Sequence, residues 1–215
     1  MRDAAKWQVI ADERAGLADL LATLTADQWA HPSLCEGWTV REVAAHLGLG
    51  PRMGPGKTAL ALARARGSFD RMVRDTALRE AARPAGELVA LLRSGAGSRH
   101  LAPGQRLDHA LLDVLVHGQD ITVPLGIPRP VPLEAARHSA GVLWRMGFPF
   151  HARRRLHGVR LTATDTSWTA GEGAEAAGPI AALLLLLTGR HTAALPRLDG
   201  PGTAVVAARV PSPLS

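Results

Sequence analysis

The chain has 215 residues, is 47% apolar and carries a formal net charge of +6, so it is long enough for a sizeable core and too apolar for a disordered tail. The charge does not make a nucleic-acid binder: the basic residues are almost all arginine and scattered, and the densest run, Arg153-Arg154-Arg155, has no aromatic residues interleaved for base stacking. The longest apolar run, Pro179 to Thr188, is far below the roughly 20 residues of a membrane span, and the polar start at Met1 to Lys6 does not read as a signal peptide, so a cytoplasmic protein is expected.

Residues 3 to 24 read as a first helix, with Trp7, Ile10, Ala11, Leu17, Leu20, Leu21 and Leu24 at helical spacing. A short turn carries Trp29. The segment from His31 to Trp38 is a loop punctuated by Pro32 and Gly37. Thr39 then opens a second helix through a capping box with Glu42, in which each side chain satisfies a free backbone N–H at the helix start. Val43, His46 and Leu47 follow on one stripe, which turns His46 inward. Gly48 to Gly56 breaks the pattern. Residues 57 to 66 and 68 to 82 read as further helical pieces, and Pro84 suits the first turn of another, through Leu92.

A long helix is expected from Arg106 to about Val123. Pro124, Gly126, Pro128, Pro130 and Pro132 end it and form a stiff connector. Leu133 to Met146 reads as a last bundle helix. After Gly147 the pattern changes. Val159 to Thr164 alternates as a half-buried strand does, and Trp168 to Ala170 suits a return strand. Gly171 to Gly178 reads as a loop, Pro179 to Arg190 as an apolar helix, and Val205 to Val210 as a strand or a short helix. The expected fold is therefore α+β and mainly α, with a helical bundle over residues 1–150 and a small α+β domain over 151–215.

The stretch LLDVLVHGQDITVPLG, Leu111 to Gly126, sets Asp113 and His117 four residues apart. Side chains at that spacing lie one above the other on a helix face. With His46 they make two imidazoles and one carboxylate, a three-ligand set for zinc or a similar divalent ion that leaves a position open. The alternative is a hydrogen-bonded core histidine at His46 and an unrelated helix-face pair. His109, four residues before Asp113, is a substitute ligand or a supporting residue.

Other motifs have plainer readings. GPRMGPGKT (Gly50 to Thr58) resembles a phosphate-binding loop, but Pro51 replaces its first glycine and no strand precedes it. The lone Cys35 excludes an internal disulfide and a multi-cysteine zinc site. It reads as a packed thiol rather than a nucleophile, because Glu36 stands beside it. Trp29 and Trp38 read as packing anchors. His151, Arg153, Arg154, Arg155 and His157 read as a solvated link between domains, or as a greeting surface for an anionic substrate.

LCEGWTVREVAAHL (Leu34 to Leu47) and LDVLVHGQDITVPLG (Leu112 to Gly126) resemble two signatures of the mycothiol-dependent maleylpyruvate isomerase family, a branch of the DinB-like metal-binding four-helix bundles. GVRLTATDTSWTAGEG followed by GPIAALLLLLTGR resembles that family's small C-terminal domain. The resemblance implies that His46, Asp113 and His117 are the metal ligands, with Asp113 standing where the isomerase has glutamate. It implies a divalent metal, zinc foremost with nickel or iron as alternatives, and mycothiol as thiol cofactor. It also implies an assisting arginine, for which Arg71, Arg74 and Arg79 are candidates. The implied activity is a mycothiol-dependent thiol transferase or isomerase acting on a small electrophile. The competing reading is a non-catalytic metal-binding regulatory or sensor bundle.

Overall fold

The computed structural model describes residues 1–209. The chain divides into two compact units, Arg2–Arg129 and a second that begins at Pro130.

The first unit contains α1 (Asp3–Leu21), α2 (Ala26–Ala30), α3 (Val40–Leu49), α4 (Pro55–Arg64), α5 (Phe69–Ala81), α6 (Ala85–Ser94) and α7 (Leu107–Thr122). Four of these close a ring: α1 packs on α7, α7 on α3, α3 on α6 and α6 on α1, while α5 lies against α3. Side-chain contacts give the directions. Lys6 reaches Asp108, and Gly16 and Gly118 both face the Arg129 guanidinium, so α1 and α7 run parallel. Arg41 donates to the Arg83 carbonyl while Gly48 faces Leu91, so α3 and α6 are also parallel. Leu34 N–H donates to the Asp120 carbonyl while His46 meets Asp113, so α3 runs against α7. The result is an up-down-down-up bundle. Its interior is built from the helical stripes of the sequence: Ile10, Leu17 and Leu21 from α1, Val43 and Leu47 from α3, Leu88 and Leu92 from α6, and Leu111, Leu115 and Ile121 from α7. Full burial of each large side chain contributes roughly 1.5–3 kcal/mol.

The Thr39–Glu42 capping box forms as expected. Thr39 Oγ1 accepts from Arg41 N–H, and Thr39 N–H donates to Glu42 at 2.7 Å. The expected turn after α1 contains α2, which has its own capping box between Thr25 and Gln28. Gly50 to Thr58 follows a helix and itself becomes a 3-10 turn, Gly50–Arg52, and the start of α4. It has no strand before it, which removes the phosphate-loop reading.

The second unit contains α8 (Leu133–Arg145), α9 (Ala152–Arg155), β1 (Val159–Ala163), β2 (Thr169–Ala170), β3 (Ala174–Gly178), α10 (Ile180–Leu187), α11 (His191–Ala194) and α12 (Gly202–Ala207). The unit boundary lies twenty-one residues before the expected one. Helix α8 packs on α10 and α9. The four-helix ring is complete without it, and its inward face of Ala135, Ala136, Ser139, Ala140 and Leu143 is small enough for close approach by the leucine-rich α10. Helix α10 is buried on every face, as an apolar helix without a polar side must be. Its first N–H, of Ile180, donates to Asp165 Oδ1 at 2.8 Å.

The expected strands β1 and β2 are present and antiparallel, with Leu161 opposite Ala170. Residues 171–178 correct the sequence reading: Ala174–Gly178 is a third strand, parallel to β1, with Val159 opposite Ala174 and Ala163 opposite Gly178. Its Ala-Glu-Ala-Ala-Gly composition lacks the β-branched residues that mark strands, yet small side chains suit the space. Gly178 has no room for a Cβ, which would stand 2.5 Å from Leu198. Residues 205–207 are helical, within α12, which resolves that ambiguity; Val210 lies outside the described residues.

Gly173 is a tight joint beside this sheet. Its φ is +114°, and a Cβ there would stand 2.3 Å from the Gly158 carbonyl oxygen. Gly173→Ala is expected to cost about 3 kcal/mol through strain and clash together. Urea unfolding should read this as a lower midpoint, and an unchanged midpoint would show that the β1–β3 edge yields freely.

Candidate metal centre

His46, Asp113 and His117 converge inside the bundle. Helix α3 brings His46 from one side, and α7 presents Asp113 and His117 one turn apart. His46 Nε2 lies 3.5 Å and His117 Nε2 3.4 Å from the same oxygen, Asp113 Oδ1. One donor atom from each residue fits within a 4.8 Å span. The N–O separations are long for hydrogen bonds. Two ligands at about 2.1 Å from one ion, at a tetrahedral angle, stand roughly 3.4 Å apart. The donor set of two neutral imidazoles and a carboxylate also suits a divalent ion. Side-chain exposure is 22% for His46, 34% for Asp113 and 15% for His117, so the cluster opens to solvent on its Asp113 side.

The cluster lies toward the end of the bundle where α3 and α6 finish and α1 and α7 begin. Loops following α3 and α6 meet at that end. His100 Nε2 approaches the Met53 carbonyl at 3.0 Å, and Pro51 packs within van der Waals range of Gly95.

The electrostatics are strongly coupled. Burial by itself would raise the Asp113 carboxyl, but the charges of His46 and His117 outweigh it and hold that group well below the usual carboxylate range. Burial also pulls the His117 imidazole down, and the adjacent Asp113 charge with the polar contacts of Asp120 and Cys35 overcomes this, leaving it well above the ordinary histidine value.

Asp120 is the residue that sequence reading missed. It is fully buried, and its Oδ2 lies 2.8 Å from His117 Nδ1. That contact holds the proton on Nδ1 and leaves Nε2 turned toward His46 and Asp113, the arrangement that supports a ligating histidine. The signal was available in the sequence: Asp120 stands three residues after His117, on the same helix face. The loop from Ser33 to Trp38 braces this side. Leu34 N–H donates to the Asp120 carbonyl, Gly37 takes a φ of +72°, and the Cys35 thiol donates to Asp120 Oδ2 at 3.1 Å. Cys35 Sγ also lies 3.6 Å from His117 Nδ1. The thiol is half-buried and hydrogen-bonded behind the cluster, consistent with a packed role.

Trp38 does more than fill space: its ring lies 5.5 Å from that of His46, which in turn stands edge-on to His117 at 5.0 Å. Trp29 is buried under the Arg41 guanidinium. His109 does not join His46, Asp113 and His117 as a potential metal ligand. Arg71 and Arg74 line a surface groove on α5 with Asp70 and Asp75, and Arg79 is exposed. The basic run also separates. Arg153 is exposed, whereas Arg155 is built into its unit, donating to the carbonyls of Phe150 and Leu187 at 2.8 Å each and meeting His191 at 3.0 Å.

An up-down-down-up bundle with two imidazoles and a carboxylate gathered near one end, followed by a small α+β unit, defines a mainly helical protein with a candidate metal centre in its bundle. Residues 10–106 match the family described as the mycothiol maleylpyruvate isomerase N-terminal domain. Two solved structures share the fold: the mycothiol-dependent maleylpyruvate isomerase, and a variant of it with one histidine replaced by alanine. Each is 14% identical to this chain at a TM-score of 0.64, over 94% of this chain and 93% of the other. No curated protein matches. The resemblance read from the sequence is borne out over residues 10–106 by the match to that N-terminal domain, and in fold by the likeness to the isomerase. Among the described residues no helix is long and apolar enough to cross a membrane.

Proposed function

We propose that this chain is a metal- and mycothiol-dependent enzyme of the maleylpyruvate isomerase type, a thiol transferase or isomerase for a small electrophile. The observation that carries the metal half is the pair of 3.4 and 3.5 Å separations converging on Asp113 Oδ1. The thiol half is supported by the family of residues 10–106 and by the names of the two structural relatives.

His46, Asp113 and His117 would hold a divalent ion, with zinc favoured by the histidine-rich donor set. When bound, such an ion supplies the positive charge that keeps a thiol deprotonated near neutral pH. Asp120 fixes the His117 ring, and Trp38 limits the swing of the His46 ring. Mycothiol, when bound, would supply a nucleophilic thiolate, either for reversible addition to a cis-enoyl diacid, which lets the alkene rotate to the trans form, or for displacement of a leaving group from another small electrophile.

The direct test is turnover of a panel of small electrophiles by the metal-loaded protein. Conversion should require both mycothiol and metal. A bound metal with no thiol-dependent conversion of any electrophile would favour the sensor reading instead.

The raised His117 value adds a pH prediction. In the metal-free protein the Asp113 charge favours the protonated form of His117, and a metal ion must displace that proton. Apparent zinc affinity is expected to rise about tenfold per pH unit while the pH stays below the His117 value. Competition titrations at two pH values below neutrality check this, and a flat response would detach His117 from the site.

A further inference from the structure

The bundle interior holds a second cation whose hydrogen bonding is incomplete. Arg14 lies on the inward stripe of α1 with Ile10 and Leu17, and is only 6% exposed. Its Nη1 donates to the Ser98 carbonyl at 3.2 Å and to the Gly95 carbonyl at 3.5 Å. No carboxylate among the described residues forms an ion pair with it, and no described group takes its Nε or Nη2. Ser139 Oγ is the buried side-chain polar atom without a partner among the described residues, so neither free Arg14 nitrogen is sealed from solvent. The unused edge of the guanidinium therefore meets accessible space inside the unit.

That edge lies level with the His46–Asp113–His117 cluster along the bundle axis. The Lys6–Asp108 contact and the shared contact of Gly16 and Gly118 with Arg129 give α1 and α7 the same offset of 102 residues at two points. Arg14 is then level with Val116. Helical side chains lean toward the helix N-terminus, which carries its guanidinium back to the level of Asp113. Asp113 is also the acidic group whose charge acts on Arg14. A buried guanidinium costs several kcal/mol unless its charge and N–H groups are met, and two carbonyls on one nitrogen meet them only in part.

We propose that Arg14 is an anion-recognition residue of this site, and that its free N–H edge binds a carboxylate of the molecule occupying the open face of the cluster. This rests on the reading of the cluster as a ligand-binding metal centre. Guanidinium is the group for the task, because its planar fork pairs with a carboxylate through two parallel hydrogen bonds. The fork would then orient a bound carboxylate between α1 and the ligands on α3 and α7.

The test titrates zinc-loaded protein with succinate, a plain dicarboxylate, and with succinamide, its neutral counterpart, by calorimetry. Zinc content is measured in parallel. Wild type should bind succinate and not succinamide. Arg14→Met should weaken succinate tenfold or more while keeping zinc at the wild-type level. Arg14→Lys, which keeps the charge and loses the fork, should fall between and serves as the deciding variant if Arg14→Met does not fold. Succinate affinity unchanged in a zinc-replete Arg14 variant, or no succinate binding by wild type, overturns the proposal. The titration needs no thiol. A protein that binds succinate through Arg14 but never turns over a thiol would sink the enzymatic reading and leave the anion site standing.

Discussion

Replacing His117 with alanine is expected to lower bound zinc from about one ion per chain to under a tenth of that, after purification and dialysis. His46→Ala should do the same. The size of the effect follows from the ligand count. Three protein groups reach the centre, and removing one leaves two, too few to hold a divalent ion against water and buffer. His117 carries the larger share, because it alone is oriented from behind by a buried carboxylate, at 2.8 Å. Elemental analysis reads the result directly. A thermal melt with and without added zinc gives a second readout, since an ion that binds only the folded chain raises its melting temperature and the variants should lose that rise. Undiminished zinc in both variants would show that the metal, if any, sits elsewhere. Asp113→Glu restores the residue type that the family resemblance places there, and is expected to retain the metal.

The second large effect is at Asp120, which reaches the proposed ligand set through the His117 ring. Asp120→Asn keeps the shape but presents an amide to Nδ1, so the imidazole loses its anionic partner and the bias toward a free Nε2. Zinc affinity is expected to fall between ten- and a hundredfold. Asp120→Ala should be worse, because it also removes the oxygen to which the Cys35 thiol donates at 3.1 Å. Nitrogen NMR of the histidine rings separates a positioning role from a packing role. The His117 tautomer ratio should shift in Asp120→Asn while the fold is kept. An unaltered ratio with unaltered affinity would reduce Asp120 to a buried structural acid.

Both predictions concern residues that differ in how visible they were. Asp113 and His117 are four apart on one helix, so their juxtaposition follows from the 3.6-residue turn. His46 was placed on an inward stripe by the same periodicity, but nothing local says which helix its stripe will face. Asp120 was equally available at three residues from His117 and went unread, because a carboxylate on an apolar face has no meaning until burial shows that it must have a partner. Arg14 was hidden for a related reason: an arginine among the charges of an amphipathic helix looks solvated until the bundle closes over it.

The sequence alone determined the local grammar of this protein: the helices and their caps, the strand that alternates, the buried run of α10, and the D-x-x-x-H pair. These depend on contacts within a turn or two, which the order of residues encodes directly. Tertiary structure decided the rest. It closed the ring with α1, α3, α6 and α7 and so released α8 to the second unit. It paired an alanine-rich segment with β1 as a strand, and it brought His46 across to Asp113. Those outcomes turn on which faces pack together, and packing joins residues far apart in the chain through burial and hydrogen bonding that no short window contains.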